Sequence, residues 1–211
     1  MTEFAAYQRA HLLRERDALA RRPPPSATHD IRAFHPADGE PGRLGETVLR
    51  ALTIINLHIE TCPPRMEDRF DDAARESSDA FWRPKLPAPL SERLAREEPD
   101  VDPGIDWAAM SGKEIAARVR KLDKSGALGD PSLFFWLMGF TLEERYWFYA
   151  GHEIRDGRLR IGVEMSEDAG VHALNELVGL CGGRPAEGVS ALTMPKWLSG
   201  LFGRNRSGET P

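Results

Sequence analysis

Two stretches in the first third of the chain space their apolar residues as helices do. Residues 2–22 have an incomplete apolar stripe beside a charged run, 14–17, that we expect to face water. Residues 44–62 have a fuller stripe that spreads over several faces, which is typical of a helix in the middle of a fold. The interval between them, 23–43, holds five prolines and is predicted to be a loop or linker.

A β-hairpin is predicted over residues 146–165. Asp156-Gly157 favours a two-residue turn of type I′, which needs a positive φ at both positions. That turn sets a register in which Glu153 lies opposite Arg160, and this pairing of opposite charges supports it. The register places His152 on an otherwise apolar face of the hairpin. The predicted pairs on that face are Ile154–Leu159, His152–Ile161, Ala150–Val163 and Phe148–Met165.

The fold class predicted from these elements is α+β. It is a helix-rich single domain with a small antiparallel sheet built on the hairpin and covered by a C-terminal helix at about 167–181. The chain divides into an N-terminal helix at 1–22, the proline-rich loop at 23–43, the main domain at 44–183 and a tail at 184–211. An isolated hairpin is marginally stable, so we expect a partner layer for it and leave the place of a third strand open.

Composition narrows the functional classes. The 211 residues are 41% hydrophobic and carry a net charge of −5, which suits one soluble domain and argues against nucleic-acid binding. No apolar run approaches the roughly 20 residues of a membrane span, and the N-terminus lacks the pattern of a signal peptide. We therefore expect a cytoplasmic protein. Cys62 and Cys181 are expected to be buried free thiols, with a single bridge between them left open.

Negative charge is concentrated between residues 60 and 106, which carry thirteen acidic and seven basic side chains. Asp68, Asp72 and Glu76 stand at i, i+4 and i+8 of a helix predicted over 66–82, so their carboxylates would share one face. A solvated face is the plain interpretation, and a divalent-metal site is a lesser one. The functional interpretation is that this helix, with Asp79, docks a basic protein partner, because opposite charges speed capture and set specificity.

No local catalytic motif occurs in the sequence. There is no nucleophile elbow and no phosphate-binding glycine loop. His58 belongs to an H-x-E triplet, but the later cysteine pair that a zinc deaminase site needs is missing. We therefore expect no cofactor and no metal. The fallback is an enzyme whose site is assembled from His152, Glu153 and His58, with His152 as the acid–base group in a pocket.

A short amphipathic segment in the tail is a further candidate contact. Trp197, Leu201 and Phe202 lie on one side of it, near basic residues. Three hypotheses result. The first is a non-catalytic cytosolic binding protein, such as a bacterial-style inhibitor of the immunity or antitoxin kind or an adaptor, that acts through the acidic helix. The second is the small enzyme around His152, and the third is a scaffold subunit anchored by the tail. A homo-oligomer is compatible with each.

Overall fold

A computed structural model describes residues 3–65, 68, 71–95, 114, 117, 131–141, 145, 147–165 and 172–186 of the chain. Within these residues six helices and four strands have defined bounds, and they confirm the α+β class. The helices are α1 (Glu3–Arg21), α2 (Pro41–His58), α3 (Asp72–Trp82), α4 (Ala88–Arg93), α5 (Leu133–Met138) and α6 (His172–Leu180). The strands are β1 (Asp30–Pro36), β2 (Trp147–Arg155), β3 (Arg158–Met165) and β4 (Gly183–Pro185).

The four strands form one antiparallel sheet in the order β2-β3-β1-β4. The third strand that the sequence left open is β1, and it lies within the interval 23–43 that was predicted to be a loop. It occupies the inside of the sheet, where Phe34 pairs with Leu159 of β3 on one side and with Pro185 of β4 on the other. The hairpin therefore finds its partner in a strand that lies more than a hundred residues earlier in the chain.

The hairpin has the predicted turn and half of the predicted register. Asp156 and Gly157 both have a positive φ, 53° and 68°, as a type I′ turn requires. The pairs Ile154–Leu159, His152–Ile161 and Glu153–Arg160 are confirmed. Beyond them the prediction was wrong, because a β-bulge between Tyr149 and Gly151 adds one residue to β2.

Because of the bulge, residues 147–149 of β2 lie on the opposite sheet faces from those predicted. Tyr149 pairs with Val163, Phe148 with Glu164 and Trp147 with Met165, in place of the predicted Ala150–Val163 and Phe148–Met165 pairs. Tyr149 and Trp147 thus share the face of Val163, and Phe148 shares the opposite face with Glu164. All three aromatic side chains are buried, since both faces of this part of the sheet are covered.

The outer edge of β2 is covered by α1 and by the segment that follows it, residues 23–29, which we call the proline strap. The backbone N–H of His152 donates to the Pro23 carbonyl at 2.9 Å, and that of Tyr149 donates to the Glu15 side chain at 2.8 Å. The strap crosses the sheet above Gly151 and Gly162. A Cβ at Gly162 would lie 2.7 Å from Pro25 Cβ, so this approach requires a residue without a side chain.

The core lies between the sheet and α2. Leu44, Val48, Leu52 and Ile55 of α2 are buried, as the sequence predicts, together with Leu159 and Ile161 of β3. The predicted covering helix is present as α6, which packs on α2, α4 and β4 and so lies at the β4 side of the sheet. The hairpin itself is covered by α1 and α2. None of the described helices combines the length and apolar character needed to cross a membrane.

Candidate binding surface and polar clusters

The acidic helix is shorter than predicted and begins after Asp71. The Asp71 side chain caps α3 by accepting from the backbone N–H groups of Ala73 and Ala74, at 3.0 and 3.2 Å. Asp68 therefore lies ahead of the helix, in a separate short turn. The predicted stack of three carboxylates at i, i+4 and i+8 does not form, because that spacing aligns side chains only inside one helix.

The carboxylates that remain on α3 differ in their surroundings. Asp72 and Glu76 are exposed, and Asp72 forms an ion pair with Arg75 while its side chain stays 83% accessible. Asp79 is half-buried and contacts Arg83, whose Nε lies 2.9 and 3.0 Å from the two carboxylate oxygens. Arg83 also donates to the Leu94 carbonyl at 3.0 Å. Asp79 thus helps to hold α3 against the chain after α4, and the solvent-facing charge lies at Asp71, Asp72 and Glu76.

The candidate catalytic residues are not brought together. His152 is near Arg22 and Glu46, whose side chains lie 2.6 Å apart at the start of α2. His58 is in the last turn of the same helix, twelve residues from Glu46, which corresponds to about 18 Å along the axis. There its ring meets those of Phe81 and Trp82 edge-on. Glu153 is paired across the hairpin with Arg160 at 2.6 Å.

His152 has a polar neighbour that the sequence analysis did not identify. Its Nδ1 lies 2.9 Å from the hydroxyl oxygen of Tyr149, so the two side chains share one hydrogen bond. Burial lowers the pKa of His152 below its ordinary value of 6.5, and the nearby Arg22 charge lowers it further. Burial also raises the pKa of the Tyr149 phenol. Both groups are therefore neutral at pH 7, and the pair can accept or pass on a proton but carries no charge.

A second histidine lies between α1 and the other face of β2. His11 stacks on Phe148 with ring centroids 5.1 Å apart, and Arg14 Nη2 lies 2.8 Å from its Nδ1. A Glu164 oxygen lies 3.0 Å from the same nitrogen. Burial and the Arg14 charge lower the pKa of His11, and Glu164 opposes them. This cluster ties α1 to the sheet.

A buried ion pair contradicts the prediction that residues 14–17 of α1 all face water. Glu15 was expected to face water, yet its side chain and that of Arg145 are both fully inaccessible to solvent and form a salt bridge. Glu15 also accepts from the Tyr149 backbone N–H and from Asn56 Nδ2, each at 2.8 Å. Its position i+3 from Leu12 and i−4 from Leu19, both buried, is the signal that places it on the inner face of α1.

The surroundings of Arg145 explain how a guanidinium is accommodated in the core. Its Nε donates to the Trp147 carbonyl at 2.8 Å, and Gln8 Nε2 donates to the Arg145 carbonyl at 2.7 Å. The guanidinium carbon lies 4.4 Å from the Trp147 ring centroid and 4.9 Å from that of Phe148. Burial lowers the pKa of Arg145, and the Glu15 carboxylate raises it. These contacts join α1, α2 and β2, and the two charged side chains are inaccessible to solvent, so their role is structural.

A cavity of about 460 Å³ lies where α2, α4 and the turn before β4 meet. Two of its lining residues, Asp38 and Arg43, are charged and form an ion pair with each other. Burial raises the pKa of the Cys181 thiol in its wall to about 12, so this group is a weak nucleophile. The lining residues are Ala37, Asp38, Arg43, Leu44, Thr47, Pro89, Cys181 and Gly182.

The remaining expectations concern metals, thiols and the tail. Among the residues that the structure describes, no three His, Cys, Asp or Glu side chains form a group that could hold a metal ion. Cys62 and Cys181 are free thiols. Trp197, Leu201 and Phe202 lie outside the described residues, as does most of the segment 96–130. Comparisons of this chain with family models, with curated proteins and with solved structures found no match.

Proposed function

We propose that this chain is a non-catalytic binding protein that captures a basic protein partner through the exposed acidic face of α3. The observation that carries the proposal is the arrangement of charge on this helix. The segment 71–82 has four carboxylates and one arginine, and the carboxylates of Asp71, Asp72 and Glu76 are exposed. An inhibitor of the immunity or antitoxin kind, or an adaptor, would use such a surface.

Electrostatic capture of this kind has a kinetic signature. Exposed charges accelerate association more than they slow dissociation, and added salt screens them. The partner recovered by affinity capture from cells that encode the chain should therefore associate more slowly as salt is raised. The measurement is the association rate by surface plasmon resonance, with the purified partner immobilised.

The proposed contact is tested by neutralising Asp71→Asn, Asp72→Asn and Glu76→Gln together, since asparagine at position 71 can still cap α3. We expect the association rate to fall roughly tenfold. A matched control neutralises three exposed carboxylates elsewhere, Asp17→Asn, Glu46→Gln and Asp156→Asn, which changes the net charge equally. If the two triple variants associate at the same rate, the effect belongs to the net charge, and the acidic helix is not the contact.

A second candidate function is an enzyme that uses His152, and the Tyr149–His152 hydrogen bond favours it. A half-buried neutral imidazole held by a phenol is suited to accept a proton. The test is an activity screen of the purified protein, with and without divalent metal ions, followed by His152→Ala. A folded His152→Ala variant with no turnover supports this function. Unchanged turnover, or loss of the fold, removes His152 from the chemistry.

A further inference from the structure

A row of basic side chains crosses all four strands at the hairpin end of the sheet. Arg155 of β2 pairs with Arg158 of β3, and His35 of β1 pairs with Arg184 of β4. Directly paired residues point to the same face of a sheet. With strands about 4.8 Å apart, the row spans about 14 Å from β2 to β4. We call these four residues the basic row.

The basic row lies on the face of the sheet that is turned away from α2. Phe34 and Leu159 form a buried pair in the core between the sheet and α2. Their neighbours His35 and Arg158 point the opposite way, because successive side chains of a strand alternate between the two faces. Gly162 of β3 belongs to this second face as well, and the proline strap covers it there. The basic row lies beyond the strap, next to the hairpin turn.

The row places like charges directly opposite each other without compensation from the fold. Arg155 and Arg158 face one another across the hairpin, an arrangement that destabilises a sheet. Arg158 and Arg184 are both exposed, and neither guanidinium forms an ion pair within the described residues. Positions at which a sequence breaks a local rule in this way are candidates for a contact with another molecule.

Few carboxylates accompany the basic row. Asp156 in the turn lies 3.9 Å from Arg155, and the two side chains remain 83% and 64% accessible. In the adjacent row of strand pairs, Glu153 is already bound by Arg160 at 2.6 Å. Among the described residues, this half of the face thus carries four arginines against two carboxylates, although the whole chain has a net charge of −5. Such a surface is suited to an anionic partner.

The side chains around the basic row favour a protein partner over a nucleic acid. Sheets that bind single-stranded nucleic acid stack its bases on exposed aromatic side chains. The described residues of this half of the face include no Phe, Tyr or Trp. Guanidinium groups bind carboxylates through paired hydrogen bonds, and an extended segment of about four residues would match the length of the row. We therefore propose that the basic row docks an acidic segment of a partner protein, with its carboxylates on Arg158 and Arg184.

The experiment measures the binding of a fluorescein-labelled hexaglutamate peptide to the full chain by fluorescence anisotropy. The salt concentration is about 50 mM, at which exposed charges are weakly screened. Arg158→Gln/Arg184→Gln should weaken binding by about tenfold or more, because two charge-assisted contacts are lost. The control Arg50→Gln/Arg65→Gln removes two exposed arginines on and after α2 and should bind as the wild type does. Equal effects of the two double variants, or a wild-type chain that does not bind the peptide, overturn the proposal.

Further arms identify the kind of partner and the kind of contact. An oligothymidylate of equal charge should bind more weakly than the peptide, and tighter binding of it would overturn the choice of a protein partner. Arg158→Lys keeps the charge but lacks the planar fork, so it should have an intermediate affinity, whereas wild-type affinity would count against paired hydrogen bonds. Circular dichroism verifies that each variant is folded. Neutralising Asp71, Asp72 and Glu76 should not weaken peptide binding, so this proposal and the capture of a basic partner by α3 can fail independently.

Discussion

Removal of the Glu15 carboxylate tests whether the ion pair with Arg145 holds α1 in place. Glu15→Ala leaves a guanidinium with no counterion at a site that solvent does not reach. It also removes the acceptor of the Tyr149 backbone N–H. Deleting one partner of a buried pair costs about 3–5 kcal/mol, and a domain has only about 5–15 kcal/mol of stability in total.

Two companion variants separate charge from packing. Glu15→Gln keeps an oxygen for Tyr149 N–H but turns an amide NH₂ toward Asn56 Nδ2, which donates to Glu15 at 2.8 Å in the native protein. We expect this variant to lose about 1–3 kcal/mol, the cost of an unmade buried hydrogen bond. The double change Glu15→Leu/Arg145→Met removes both charges and should be more stable than Glu15→Ala, because no unpaired ion remains.

The assay is urea unfolding followed by tryptophan fluorescence. Trp147 lies 4.4 Å from the Arg145 guanidinium carbon and should report the loss of this region directly. Free energies of unfolding follow from linear extrapolation if circular dichroism gives the same transition. A Glu15→Ala variant within about 1 kcal/mol of wild type, or a double variant that is less stable than Glu15→Ala, would refute the assignment of Glu15 and Arg145 as a structural pair.

Three further predictions concern other parts of the fold. Gly162→Ala places a methyl group 2.7 Å from Pro25 Cβ and should lower the free energy of unfolding by about 1–3 kcal/mol, measured by urea titration; an unchanged midpoint would show that the strap moves freely. Burial lowers the folded-state pKa of His152 below 6.5, so the unfolded chain binds more protons than the folded chain. The free energy of unfolding should therefore fall as pH drops below 6.5. His152→Gln should weaken this dependence of stability on pH in melting curves between pH 7 and 5. Cys181, with its pKa raised to about 12, should react with iodoacetamide at pH 8 more slowly than Cys62, as peptide mass spectrometry would show.

Local chemistry was sufficient to predict the hairpin turn and the main core helix. Asp156-Gly157 can adopt positive φ angles whatever surrounds it, and the apolar stripe from Leu44 to Ile59 needs only burial. The hairpin register held as far as His152 because cross-strand pairs near a turn depend on the turn alone. It failed at the bulge, since Gly151 lies beneath the proline strap and that contact comes from a distant part of the chain.

Long-range pairing explains what the sequence analysis did not predict in the sheet. The segment DIRAFHP has no clear alternation of apolar and polar residues, and it becomes β1 because β3 and β4 pair with both of its edges. A central strand bounded by prolines and polar residues resembles a loop when its partners are unknown. The strand conformation of this segment is therefore determined by its pairing with β3 and β4.

In the candidate sites, too, local sequence predicts some features and long-range contacts determine the others. The exposure of Asp72 and Glu76 agrees with the predicted acidic face, whereas Asp68 leaves it because Asp71 caps the helix three residues later. Glu15 was assigned to solvent because its neighbours in sequence are charged. Its partner Arg145 lies 130 residues away, and no local pattern connects the two.

The hydrogen bonds at the outer edge of β2 determine which of its backbone N–H groups another strand could reach. Unprotected edge strands recruit strands from other molecules and so seed β-aggregates. Here a carbonyl of Pro23 and a carboxylate of Glu15 occupy two N–H groups that such a strand would use. Proteolysis or truncation that removes the first thirty residues would remove both hydrogen-bond acceptors. It would also remove the segment that leads into β1. The N-terminal region therefore occupies the edge of β2 where a strand of another molecule could otherwise pair.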